Sequence, residues 1–176
     1  MKYPYITFLF SLLTISCASN PFTGKKTMAL VPNSTLLPMS FDQYDKFLND
    51  NKVIIGTNEA KMITRVGQRI SVAAERWLDA NGFDGYLNKY KWEYTLVDDE
   101  SVNAWCMPGG KIVFYTGILP VANNETGVAA IMGHEVAHAL ANHGQQRMSA
   151  AIIQQAGAAG IAAVTNDKTA KEQEIW

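Results

Sequence analysis

The reactive chemistry of this chain is concentrated in His134-Glu135-Val136-Ala137-His138. Residues four apart on an α-helix project from one face, one turn above the other. His134 and His138 can therefore hold one metal ion from a single helix. Glu135 lies one residue round from His134, within reach of a water on that metal but poorly placed to ligate it. Two imidazoles and a carboxylate base form the arrangement with which zinc peptidases activate water. The chain has 3 histidines, and the third, His143, closes the same short stretch. It falls about half a turn from the metal face of a continuous helix. It reads as a last-turn histidine that meets free carbonyls and the helix dipole, with support of a metal-bound side chain as the alternative. A three-histidine ligand set would need Gly at position 141 and His at position 144, where this chain has Ala141 and Gly144.

A helix must carry the pair, and the flanks supply one. Asn123 or Asn124 can cap its start, Glu125 suits the first turn, and Gly144 is the expected stop. Val128, Ile131 and Met132 begin an apolar stripe that continues through Ala139 and Leu140. A buried helix whose histidines only satisfied backbone groups would leave the charged Glu135 unexplained.

The preceding elements are legible by period. Ser40 opens a short helix, with Gln43 placed for a capping box and Phe41, Tyr44 and Phe47 or Leu48 on its apolar face. Asn58 caps a longer helix with Met62, Ile63, Val66, Ile70, Ala73 and Trp77 at helical spacing, ended by Asn81-Gly82. Trp92 to Val97 alternates as a strand. Ser101 to Cys106 and Lys111 to Thr116 are two more strand candidates around Met107-Pro108-Gly109-Gly110. The acidic run Asp98-Asp99-Glu100 reads as a solvated turn. After Gly144, an Ala- and Gly-rich stretch runs from Ser149 to Val164, too short and too polar at Gln154-Gln155 for a membrane span. Lys168 to Trp176 reads as a final helical segment.

With 176 residues, 48% hydrophobic and 18% charged, the chain is long enough for one domain with a core. A net charge of −1 leaves no electrostatic footprint for nucleic acid. Residues 1–16 read as a signal peptide: Lys2 is followed by a short apolar core, Ile6 to Ile15. The segment ends at Ser16-Cys17 in the manner of a lipoprotein signal, although Leu13 stands one place early. Cys17 would then carry the lipid, residues 17–38 would be an extended tether, and residues 39–176 the main domain. Ala18 directs such a lipoprotein to the periplasmic face of the outer membrane, if the enterobacterial sorting rule holds. Cys106 is left without a disulfide partner and reads as a buried inert thiol rather than a nucleophile.

Two runs in fixed order resemble a known family. Asn103-Ala104-Trp105-Cys106-Met107-Pro108-Gly109-Gly110 is followed by Val113-Phe114-Tyr115-Thr116-Gly117 and then by His134 to His143. This pattern is similar to zinc metalloendopeptidases related to CAAX prenyl proteases, HtpX heat-shock proteases and the Oma and BepA quality-control proteases. Within them it resembles the bacterial periplasmic lipoprotein branch. The resemblance implies an α/β (α+β) gluzincin fold, mostly helical, with a small sheet beside the His-Glu-x-x-His helix. It implies one zinc per chain on His134 and His138, Glu135 as general base, and misfolded or misassembled envelope proteins as substrates. The family draws its third ligand from a Glu-x-x-x-Asp motif on a later helix. Here the only acidic residues after His138 are Asp167, Glu172 and Glu174, and neither Glu is followed by the matching Asp. The expectation is that the third ligand is missing; the competing outcome is that Glu174 folds back to complete the site. The alternative function is an incompetent fragment or an envelope-tethered, chaperone-like binding module. Asn103, Ala104 and Trp105 are candidates for substrate binding, should their strand be a sheet edge. An interior position for that strand is equally compatible with the sequence.

Overall fold

The computed structural model describes residues 17–165. In chain order the strands are β1 (Cys17–Ser19), β2 (Lys26–Met28), β3 (Val53–Ile54), β4 (Glu93–Val97), β5 (Ala104–Met107) and β6 (Lys111–Tyr115). The helices are α1 (Asn33–Asp50), α2 (Asn58–Ala80), the short α3 (Leu119–Ala122), α4 (Glu125–Leu140) and α5 (His143–Thr165). The architecture is α+β, as expected.

The four-stranded sheet runs in the order β3-β4-β6-β5, with β4 and β6 parallel and the outer pairings antiparallel. On β6, Ile112, Val113 and Phe114 are fully buried, so neither face of this strand meets water. Alternation sends Ile112 and Phe114 to one face, where Ile63 and Val66 of α2 and Val128, Met132 and Val136 of α4 cover them. Val113 points the other way and packs with Val97 and Tyr44 of α1. The His134 to His138 stretch therefore rides on a helix pressed against the sheet through residues four apart.

Local signals set the helix starts. Thr57, one residue ahead of the expected Asn58, accepts from the Ala60 amide at 3.1 Å to cap α2, and Asn124 accepts from the Gly127 amide at 3.1 Å to cap α4. Gly67 lets α2 lie against the sheet, because a Cβ there would fall 2.1 Å from the Tyr94 ring. The β5–β6 connection needs two left-handed residues, Gly109 at φ 88° and Gly110 at φ 85°.

Several expectations are corrected. The first helix begins at Asn33, ahead of Ser40, and contains Pro38. Burial of Leu36 and Leu37 accompanies the added turns, while Pro38, near the helix start, forgoes one backbone donor. Ser40, rather than capping, donates from its buried hydroxyl to the Pro108 carbonyl at 2.7 Å. Residues 17–38, expected to be an extended tether, are folded onto the body. β1 and β2 form a hairpin, and Asn20 is 1% exposed beneath the end of α4. The metal helix stops at Leu140, before the expected Gly144, and α5 starts at once. Among the described residues no helix is long and apolar enough to cross a membrane.

Candidate metal centre

His134 and His138 lie one turn apart on α4, and their Nε2 atoms approach to 2.9 Å. Both rings therefore direct the same nitrogen toward one point. Two Zn–N bonds at tetrahedral angles would place these atoms about 3.3 Å apart, so a small opening of the pair accommodates the ion. His134 is exposed and His138 half-buried, which leaves the point open to solvent on one side. Imidazole nitrogens on a helix are a donor set suited to zinc. The pair fits as a two-residue ligand set.

Glu135, half-buried, follows directly on the same helix. Facing it across the α4–β5 contact is Cys106. Burial and the Glu135 carboxylate push the Cys106 thiol well above its ordinary range. The thiol stays protonated and is no nucleophile, in line with its sequence reading.

His143 is not where helical spacing put it. A continuous helix would turn it about 140° from His138. Instead α4 ends, Asn142 takes a left-handed φ of 58°, and His143 opens α5. Its Nδ1 comes to 2.6 Å from Nδ1 of His138.

The strand question is resolved by topology. β5 is an edge and β6 is interior. Asn103 is exposed just before the edge strand, and its carbonyl accepts from the Tyr115 amide at 3.1 Å. Ala104 and Trp105 lie on β5 itself, opposite Phe114 and Val113. The Trp105 ring meets Phe47 edge-on at 4.9 Å, and its Nε1 donates to the Tyr115 hydroxyl at 3.3 Å. A cavity of about 400 Å³ lies between β5, α4 and the start of α5. Phe47, Trp105, Met107, Tyr115, His138 and Arg147 line it. Sequence reasoning did not find Phe47, Tyr115 or Arg147 as wall residues, since no local spacing links them to the histidines. The alternation of β6 could have signalled only Tyr115, as the residue facing away from the main core.

Among the described residues, no group of three His, Cys, Asp or Glu side chains is placed to hold a metal ion. Asp167, Glu172 and Glu174 lie outside the described residues.

The family model described as Peptidase family M48 matches residues 64–175. The mitochondrial metalloendopeptidase OMA1 of Arabidopsis thaliana is 31% identical over 116 residues, covering 66% of this chain and 20% of that protein. The mitochondrial metalloendopeptidase OMA1 of Homo sapiens is 23% identical over 143 residues, covering 81% of this chain and 26% of that protein. The beta-barrel assembly-enhancing protease of Escherichia coli K12 is 27% identical over 55 residues, covering 31% of this chain and 11% of that protein. The chain thus spans about a quarter or less of the length of these relatives.

Proposed function

The chain belongs to peptidase family M48, and we propose that it carries the zinc-holding helix and the general base of a metalloendopeptidase. The observation that supports this best is the convergence of the His134 and His138 Nε2 atoms at 2.9 Å, with Glu135 between them in sequence. His134 and His138 would hold the zinc. Zinc, when bound, supplies an acidified water and a Lewis acid for the scissile carbonyl. Glu135 takes a proton from the attacking water and delivers it to the leaving amine.

The substrate is a polypeptide that joins the free edge of β5, beside Asn103, Ala104 and Trp105. Main-chain bonds to an edge strand give affinity with little sequence preference. That suits misfolded or misassembled envelope proteins, whose exposed segments share only a backbone. One side chain of the bound segment enters the cavity against Trp105, Tyr115 and Phe47.

Cys17 carries a lipid that holds the protein on the periplasmic side of the outer membrane. The support is the apolar run before Ser16-Cys17 and the similarity to the beta-barrel assembly-enhancing protease of Escherichia coli. Cys17→Ser should move the protein from the membrane fraction to the soluble one; unchanged sedimentation with membranes would count against the lipid.

The decisive experiment is Glu135→Gln in a chain extended to the length of the relatives. Hydrolysis of an unfolded protein should fall by about 10²–10⁴-fold, with zinc content unchanged. Equal hydrolysis by the variant would refute the assignment of the base. Zinc binding with no hydrolysis by the unsubstituted protein would favour a binding module.

A further inference from the structure

His143 has no part in the chemistry above, yet it makes one of the shortest side-chain contacts at the site. The expectation that it serves the free carbonyls at the end of α4 is corrected, because other groups reach them. The Leu140 carbonyl accepts from the Asn20 side chain at 2.7 Å. The Ala141 carbonyl accepts from the Gln146 side chain at 2.9 Å. The Ala137 and Ala139 carbonyls accept from the Ala141 and Asn142 amides at 2.9 and 3.0 Å. Other groups cap the helix, and the His143 ring is turned instead to His138.

The two nitrogens of an imidazole point away from one another. His138 directs Nε2 to His134 at 2.9 Å and Nδ1 to His143 at 2.6 Å. His143 therefore meets the edge of the ring opposite the metal point and cannot ligate the same ion. A close contact between two ring nitrogens needs one proton between them, given by one ring and accepted by the other. When His138 ligates through Nε2, its lone pair there is committed and its proton sits on Nδ1. His138 is then the donor and His143 Nδ1 the acceptor. Metal-bound histidines commonly give this second N–H to a carboxylate or a carbonyl, which fixes tautomer and ring plane.

We propose that His143 is a positioning residue, which accepts the Nδ1–H of His138 and so holds the ring with Nε2 presented to zinc. This rests on the reading of His134 and His138 as zinc ligands. The backbone is built for the contact. Asn142 tolerates the left-handed turn better than most residues, its side chain donates to the Tyr86 hydroxyl at 3.3 Å, and its carbonyl accepts from the Gln146 amide at 3.0 Å. That break brings His143 back over His138.

Two measurements test the proposal on this chain. In the zinc-loaded protein labelled with ¹⁵N-histidine, a scalar coupling should connect Nδ1 of His138 to Nδ1 of His143, with the proton on His138. Its absence, with both rings assigned, would overturn the proposal without any substitution. Competition with a chromophoric chelator then gives zinc affinities. His143→Ala should weaken binding about 10–100-fold. His143→Asn, whose amide oxygen can occupy the Nδ1 position, should restore most of it. Circular dichroism of the metal-free variants would establish that each is folded. An Ala variant that binds as tightly as the parent, or a folded Asn variant as weak as Ala, overturns the role of His143 alone. A parent chain with no zinc affinity refutes the metal centre itself, and His143 with it.

Discussion

The side-chain amide of Asn20 donates to the carbonyl of Leu140 at 2.7 Å, a buried bond between residues 120 positions apart. It closes the C-terminal end of α4, the helix of His134 and His138, with a residue from the N-terminal hairpin. Leu140 is 2% exposed, so water has little access to that carbonyl. Asn20→Ala would strand a buried acceptor, at a cost of about 1–3 kcal/mol. Urea denaturation should show a lower midpoint with an unchanged slope. An unshifted midpoint would mean that this bond contributes nothing to the fold.

The start of the same helix is held electrostatically. Arg65 on α2 grips Glu125 with both ends of its guanidinium, Nη2 at 2.6 Å and Nε at 3.3 Å. This contact holds the Glu125 carboxyl below its ordinary range. A depressed folded-state pKa stabilises the fold above the unfolded pKa, and the gain is lost as pH falls through the folded value. Thermal unfolding followed from neutral pH downward should therefore lose stability through the carboxylate range. Glu125→Gln should flatten that part of the profile. The pair is solvent-accessible, so the difference should also shrink with added salt.

Zinc affinity reports the state of the ligand set. A catalytic zinc site has three protein ligands and a water, and the proposed ligands among the described residues are two, His134 and His138. Binding by this chain should be weak but measurable, because the helix preorganises the pair. At free zinc one hundred times the dissociation constant, unfolding free energy should rise by about 2.7 kcal/mol. Glu174→Ala should leave the titration unchanged. Tight one-to-one binding that this substitution abolishes would show Glu174 to be the third ligand.

The open edge of β5 makes a prediction about substrate chemistry. A peptide analogue bound there should lose affinity when two of its amides on the strand-facing side are N-methylated. Two lost hydrogen bonds amount to about 1–3 kcal/mol, or roughly 5- to 150-fold in affinity. Methylation at the alternate amides should matter little. Equal effects at both sets would place the peptide elsewhere.

The sequence by itself determined the parts whose physics is local. The four-residue spacing of His134 and His138 sets their common face on any α-helix. Asn124 caps α4 as read, because its donor, the Gly127 amide, lies three residues on. The strand candidates around Pro108 were readable from alternation and paired glycines. Tertiary structure decided what depends on distant partners. Ala141 and Asn142 carry no strong stop signal, and α4 ends there with Asn20, Tyr86 and Gln146 taking up the freed polar groups. That break, absent from any periodicity, set His143 against His138. β5 and β6 read alike as sequences, and only the parallel pairing of β6 with β4 made one the interior strand and the other the free edge. The hairpin and early helix within residues 17–38 were hidden for the same reason. Their order comes from Asn20, Leu36 and Leu37 burying against residues far along the chain, a gain that no local window contains.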